Sequence, residues 1–100
     1  MKIVFHPAAQ GDLEEAAEFY EREGSPALAA RFVAEFKRLS TLMLQHPGIG
    51  SPRTRGRRAF SMSIFPYTVI YSMRGDELHV LVVKHDKRRP GYGGSRVIAS

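Results

Sequence analysis

The stretch Leu78–His85 constrains the fold more than any other part of the chain. Leu78, Val80 and Val82 fall on one side of an extended backbone, and Leu81 and Val83 fall on the other. A strand that is apolar on both sides must lie inside a sheet or be covered on both faces. Its partner precedes it. Tyr67, Val69, Tyr71 and Met73 alternate with Thr68, Ile70 and Ser72, and Arg74-Gly75-Asp76-Glu77 supplies the hairpin turn. Arg74-Gly75-Asp76 also matches an adhesion tripeptide, but turn chemistry accounts for it.

The rest of the chain supplies the covering layer. Lys2-Ile3-Val4-Phe5 reads as a short strand. Pro7 suits a first helical position, and Leu13, Ala16, Ala17 and Tyr20 follow at helical spacing up to a stop at Gly24. Ser25-Pro26 repeats the start signal, and Leu28, Phe32, Phe36, Leu39 and Met43 make an apolar stripe ending at His46-Pro47-Gly48. So short a link between two helices predicts an antiparallel hairpin. Residues 48–56, with Gly48, Gly50, Pro52 and Gly56, read as a loop. Phe60, Met62 and Ile64 then alternate with serines as a half-buried strand, and Pro66 marks a bend. The order β-α-α-β-β-β predicts an α+β fold, with a helical hairpin packed on one face of a small, mainly antiparallel sheet. One domain over residues 1–100 is expected, with 93–100 as a frayed tail.

Cysteine is absent, which excludes disulfide and thiolate chemistry. No apolar run reaches the roughly 18 residues of a membrane span. The expectation is a cytoplasmic protein without a membrane partner. Net charge is +5, but it is unevenly spread. Residues 1–50 carry five bases against seven acids, whereas residues 51–100 carry ten bases against three acids. That asymmetry predicts one basic face suited to an anionic partner.

Two clusters make up the basic half. Arg53, Arg55, Arg57 and Arg58 can make bidentate contacts to phosphate or carboxylate. Lys84, His85, Asp86, Lys87, Arg88, Arg89 and Tyr92 form the second. There His85 or Tyr92 could move protons and Arg88 or Arg89 could stabilise charge, as a nuclease using the substrate's own 2′-hydroxyl requires. Tyr92 could equally stack on a base or pack on the sheet rim. Arg57, Arg58, Arg88, Arg89 and Tyr92 are expected to share one rim. His6, His46, His79 and His85 have no metal-ligand spacing, and neither a metal nor a cofactor is expected. Asp12, Glu15 and Glu18 read as the wet face of an amphipathic helix.

Assembled in order, these residues resemble the RelE/ParE toxin superfamily of type II toxin–antitoxin systems. The resemblance runs through Phe5-His6-Pro7-Ala8-Ala9, Asp12-Leu13-Glu14-Glu15-Ala16, Tyr20-Glu21, Ala30-Arg31-Phe32, His46-Pro47 with Gly50, Arg57-Arg58, Phe65-Pro66-Tyr67, and His85 with Arg88-Arg89-Pro90-Gly91-Tyr92. It implies a small α+β toxin neutralised by a cognate antitoxin in a hetero-oligomer. RelE-like members cut messenger RNA on the ribosome, and ParE-like members block DNA gyrase. The arginine that RelE-like enzymes commonly carry after the aromatic aligned with Tyr67 is Thr68 here. The long helical hairpin also looks ParE-like. The resemblance therefore favours a gyrase-directed toxin that acts without cutting RNA, and target binding falls to Arg55, Arg57, Arg58, Lys87, Arg88 and Arg89. The alternatives are a ribosome-dependent endonuclease using His85, Arg88 and Tyr92, or a nontoxic binding member of the family.

Overall fold

The computed structural model describes residues 1–98. The chain runs β1 (Lys2–Phe5), α1 (Pro7–Glu23), α2 (Pro26–Gln45), β2 (Ser51–Pro52), a 3-10 turn at Thr54–Gly56, β3 (Arg57–Ser61), β4 (Tyr67–Arg74) and β5 (Glu77–His85). The sheet order is β1-β5-β4-β3-β2, with β1 parallel to β5 and every other pair antiparallel. The doubly apolar strand is thus internal, flanked by β1 and β4.

Both helices begin as their sequences dictate. His6 Nδ1 accepts from Ala8 N at 3.0 Å ahead of Pro7, and Ser25 Oγ accepts from Leu28 N at 3.1 Å ahead of Pro26. The α2 stripe of Phe32, Phe36, Leu39 and Met43 packs on the sheet face formed by Tyr67, Val69, Tyr71, Leu78, Val80 and Val83. At one end of this core Tyr20, Phe32, Phe65 and Tyr67 form a ring cluster, with centroids 5.1–6.1 Å apart in tilted and edge-on pairs.

Two boundaries differ from the sequence reading. β3 starts at Arg57 and ends at Ser61, so two arginines belong to it and Met62 and Ile64 do not. Met62 N instead donates to Tyr67 O, closing the bend at Pro66. The 48–56 loop also contributes the two-residue edge strand β2. It is held by buried Tyr71, whose hydroxyl donates to Pro47 O at 2.7 Å and accepts from Gly50 N at 2.9 Å.

β5 carries a bulge. Ile70 pairs with Val82 and Tyr71 with Val80, which leaves Leu81 as the extra residue. The expected frayed tail includes residues 99 and 100, which lie outside the described residues. Over Tyr92–Arg96 the chain is tied down: Gly94 O and Arg96 O accept from Arg57, and the half-buried Arg96 side chain pairs with Asp12 on α1.

Candidate functional site

The site is organised by a residue that the sequence reading assigned to the wet face. Ala9, Asp12 and Ala16, at steps of three and four, are the buried residues of α1. They share one side of the helix. β1 ends at Phe5, and the last bond on that side of β5 is His6 N to Val80 O at 2.9 Å. Beyond it the backbone of β5 needs other partners. Asp12 Oδ2 accepts from Val83 N at 3.0 Å, and Arg96 Nη1 donates to Leu81 O at 2.9 Å. The two side chains pair with each other at 2.7 Å and are 6% and 14% exposed. An ion pair between a helix and the tail therefore continues a strand ladder. The Asp12 carboxylate holds the Arg96 guanidinium above its ordinary pKa.

Tyr92 joins the pair. Its hydroxyl donates to Asp12 Oδ1 at 2.9 Å, and the guanidiniums of Arg88 and Arg96 lie over its ring, 4.7 and 5.2 Å from the centre. Gly91, at φ 84°, makes the reversal that brings Tyr92 back to α1.

These groups wall one side of a cleft of about 270 Å3 between α1 and the end of β5. His85, Arg88 and Tyr92, the three candidate catalytic residues, all line it. So do Glu15 and Glu18. His85 stacks edge-on against Tyr67 at 5.1 Å, and its Nδ1 accepts from Lys87 N at 3.0 Å. That bond occupies the Nδ1 lone pair. The only proton of Tyr92 is engaged by Asp12. Burial, and to a lesser extent Tyr20, pushes the Tyr67 phenol above its ordinary pKa, so it stays protonated at neutral pH. Thr68 donates to Asp86 Oδ1 at 2.7 Å, which places an acid beside the position where a cleaving relative would carry arginine.

The expected single basic rim is divided. Arg57 pairs with Ser72 and His85 with Tyr67, positions five residues apart on β4 and so roughly 17 Å along the sheet. Arg58 lies on the helix side, where its guanidinium donates to Gly50 O at 2.8 Å and Gly48 O at 3.3 Å. Arg57 and Arg55 lie on the other face beneath the tail, both donating to Gly94 O, at 3.0 and 2.8 Å. Lys87, Arg88 and Arg89 are exposed at the far end. The reason is strand register: entering the sheet at Arg57 sends alternate arginines to opposite faces.

The fold is a helical hairpin on one face of a mixed five-stranded sheet, closed by a C-terminal turn that carries Arg88, Arg89, Tyr92 and Arg96. The family model described as "ParE toxin of type II toxin-antitoxin system, parDE" matches residues 3–90. The chain belongs to that family. Among solved structures it is similar in fold to a chain of the "Chromosomal ParDE TA system from P. aeruginosa", with TM-score 0.75 and 19% identity over 85% of this chain and 95% of that one. No curated protein matches the sequence.

Proposed function

We propose that this protein arrests growth by binding DNA gyrase, without cutting RNA itself, and that a cognate antitoxin holds it in check. Membership of the ParE toxin family supports the toxin class. The observation that carries the noncatalytic reading is the state of the cleft. The Tyr92 proton, the His85 Nδ1 lone pair and the Thr68 hydroxyl are all used internally, and Glu15 and Glu18 face the same space. A phosphodiester entering there meets Glu15 and Glu18 beside Arg22 and Arg88, so the carboxylates offset much of the attraction of the two guanidiniums. Target contact then falls to the exposed Lys87, Arg88 and Arg89, with Arg55 and Arg58 contributing from the opposite end. Phe19 and Ile64, 44% and 59% exposed, offer apolar surface for an antitoxin segment that folds as it binds.

Brief expression without antitoxin tests the reading. The expected outcome is a DNA-damage response and filamentation. Rapid translation arrest with new RNA ends inside codons would reject it in favour of ribosome-dependent cleavage through His85, Arg88 and Tyr92. Arg88→Ala with Arg89→Ala is expected to reduce toxicity. Full toxicity in that variant would show that this cluster is not the working surface.

A further inference from the structure

The sheet face opposite the helices holds a buried cation, Arg57, that the proposed function does not use. Arg57 is buried, with 9% relative exposure. Its guanidinium donates to two neutral acceptors, Gly94 O and Arg96 O. Arg55 donates to the same Gly94 carbonyl at 2.8 Å, so two guanidiniums converge on one oxygen. Among the described residues no carboxylate pairs with either. Ser72 and then His79 follow Arg57 across the sheet on this face, and His79 Nε2 already meets Glu77 at 3.0 Å. Burial, with Arg55 nearby, holds the Arg57 guanidinium below its ordinary pKa. A buried cation is ordinarily paired, because carbonyl dipoles satisfy its hydrogens without cancelling its charge.

The backbone here is also unusual. Arg55, at φ 63° and ψ 32°, is the non-glycine residue with positive φ among those described. Left-handed backbone is disfavoured for a long side chain and persists where its surroundings enforce it. Its effect is to turn the Arg55 side chain back over the tail. Beside the two arginines is a cavity of about 170 Å3, lined by Arg55, Arg57, Ser72, Leu81, Val97 and Ile98. One water needs only about 10–15 Å3 of such space. The Ser72 hydroxyl reaches Gly56 O at 3.3 Å, longer than a strong O–H bond and readily exchanged for a better acceptor.

We infer that this cavity binds a phosphate group, held by the Arg55 and Arg57 guanidiniums and the Ser72 hydroxyl. Two planar guanidiniums and a hydroxyl suit an oxyanion that accepts several bonds at once. The site is separate from the cleft at His85; it shares Arg55 with the proposed target surface, but phosphate binding is read on the isolated chain and stands whether or not gyrase is the target. The phosphate could be the free ion or part of a nucleotide chain, which presents the same chemistry.

The test is thermal unfolding and isothermal titration calorimetry of the full chain with inorganic phosphate, against chloride at matched ionic strength. Arg55→Asn removes the charge but suits the left-handed backbone. Arg57→Lys keeps the charge and loses the fork. Phosphate is expected to raise the melting temperature of the wild type beyond chloride, and each substitution to weaken binding about tenfold or more. Lys37→Ala, on exposed α2 surface, is expected to leave binding unchanged. No phosphate-specific effect by about 10 mM, a concentration well past millimolar affinity, overturns the inference. So does equal binding by wild type and Arg55→Asn, because Arg55 is exposed and its loss does not threaten the core. A short DNA duplex that displaces phosphate assigns the group to a nucleotide chain, and one that does not assigns it to the free ion.

Discussion

Asp12→Asn is the most informative single substitution. The amide keeps the shape of the carboxylate but not its charge, and it offers one acceptor oxygen in place of two. The carboxylate accepts from Val83 N at 3.0 Å, Arg96 Nη1 at 2.7 Å and Tyr92 Oη at 2.9 Å. With the two ion-pair side chains 6% and 14% exposed, the variant leaves Arg96 nearly buried without a counterion. Removing one partner of a buried pair costs about 3–5 kcal/mol. The remaining amide oxygen places the expected loss near the lower end, about 3 kcal/mol. At about 4–8 °C per kcal/mol for a domain of this size, the melting temperature should fall by about 12–24 °C. Urea unfolding followed by circular dichroism gives the free energy, and trypsin cleavage at Arg96 reports release of the tail. Arg96→Met and the double variant close the cycle. The double variant should cost less than the sum of the singles by more than about 1 kcal/mol. A loss below about 1 kcal/mol for Asp12→Asn, or strict additivity, would refute the view that this pair completes the edge of β5.

Three further outcomes follow from the same structure. Tyr71→Phe leaves Gly50 N and Pro47 O without their partner, and should cost about 1–3 kcal/mol in urea unfolding. Gly93→Ala combines φ 74° with a Cβ only 2.7 Å from Val82 Cγ2, so it should loosen the tail and lower the melting temperature. The bond from His79 Nε2, with help from Lys2, holds the Glu77 carboxyl below its ordinary pKa. The stability this contributes is present above about pH 4.3 and is lost as pH falls through the depressed folded value. Glu77→Gln should therefore melt below wild type at neutral pH and converge with it in acid, which a melting-temperature series against pH will show.

Most of the architecture is legible in residue patterns. The doubly apolar Leu78–His85 stretch announces an internal strand, and the Pro7 and Ser25-Pro26 signals set both helix starts. The start of β3 is less visible, because Gly56 looks like loop and arginines do not announce strands. From that one boundary comes the division of the basic residues between two faces. The role of Asp12 is hidden for a different reason. It stands among Glu14, Glu15, Glu18, Glu21 and Glu23, where one more acid looks like solvent-facing charge. A partial signal does exist, since steps of three and four align Asp12 with Ala9 and Ala16, but Glu15 also lies three residues on and blurs it. Its partner Arg96 could not be read in the same way, because 84 residues separate the two and nothing periodic links a tail to a helix. His85, Arg88 and Tyr92 do meet at one cleft; the bond on His85 Nδ1 is local, from Lys87 N, but the one that occupies the Tyr92 hydroxyl is a tertiary contact with Asp12.

Inhibition of purified DNA gyrase measures the functional reading most directly. Adding the isolated chain to a plasmid supercoiling reaction should slow the introduction of supercoils, and adding its cognate antitoxin should restore the rate. Undisturbed supercoiling, together with cleavage of messenger RNA on ribosomes by the same preparation, would contradict it.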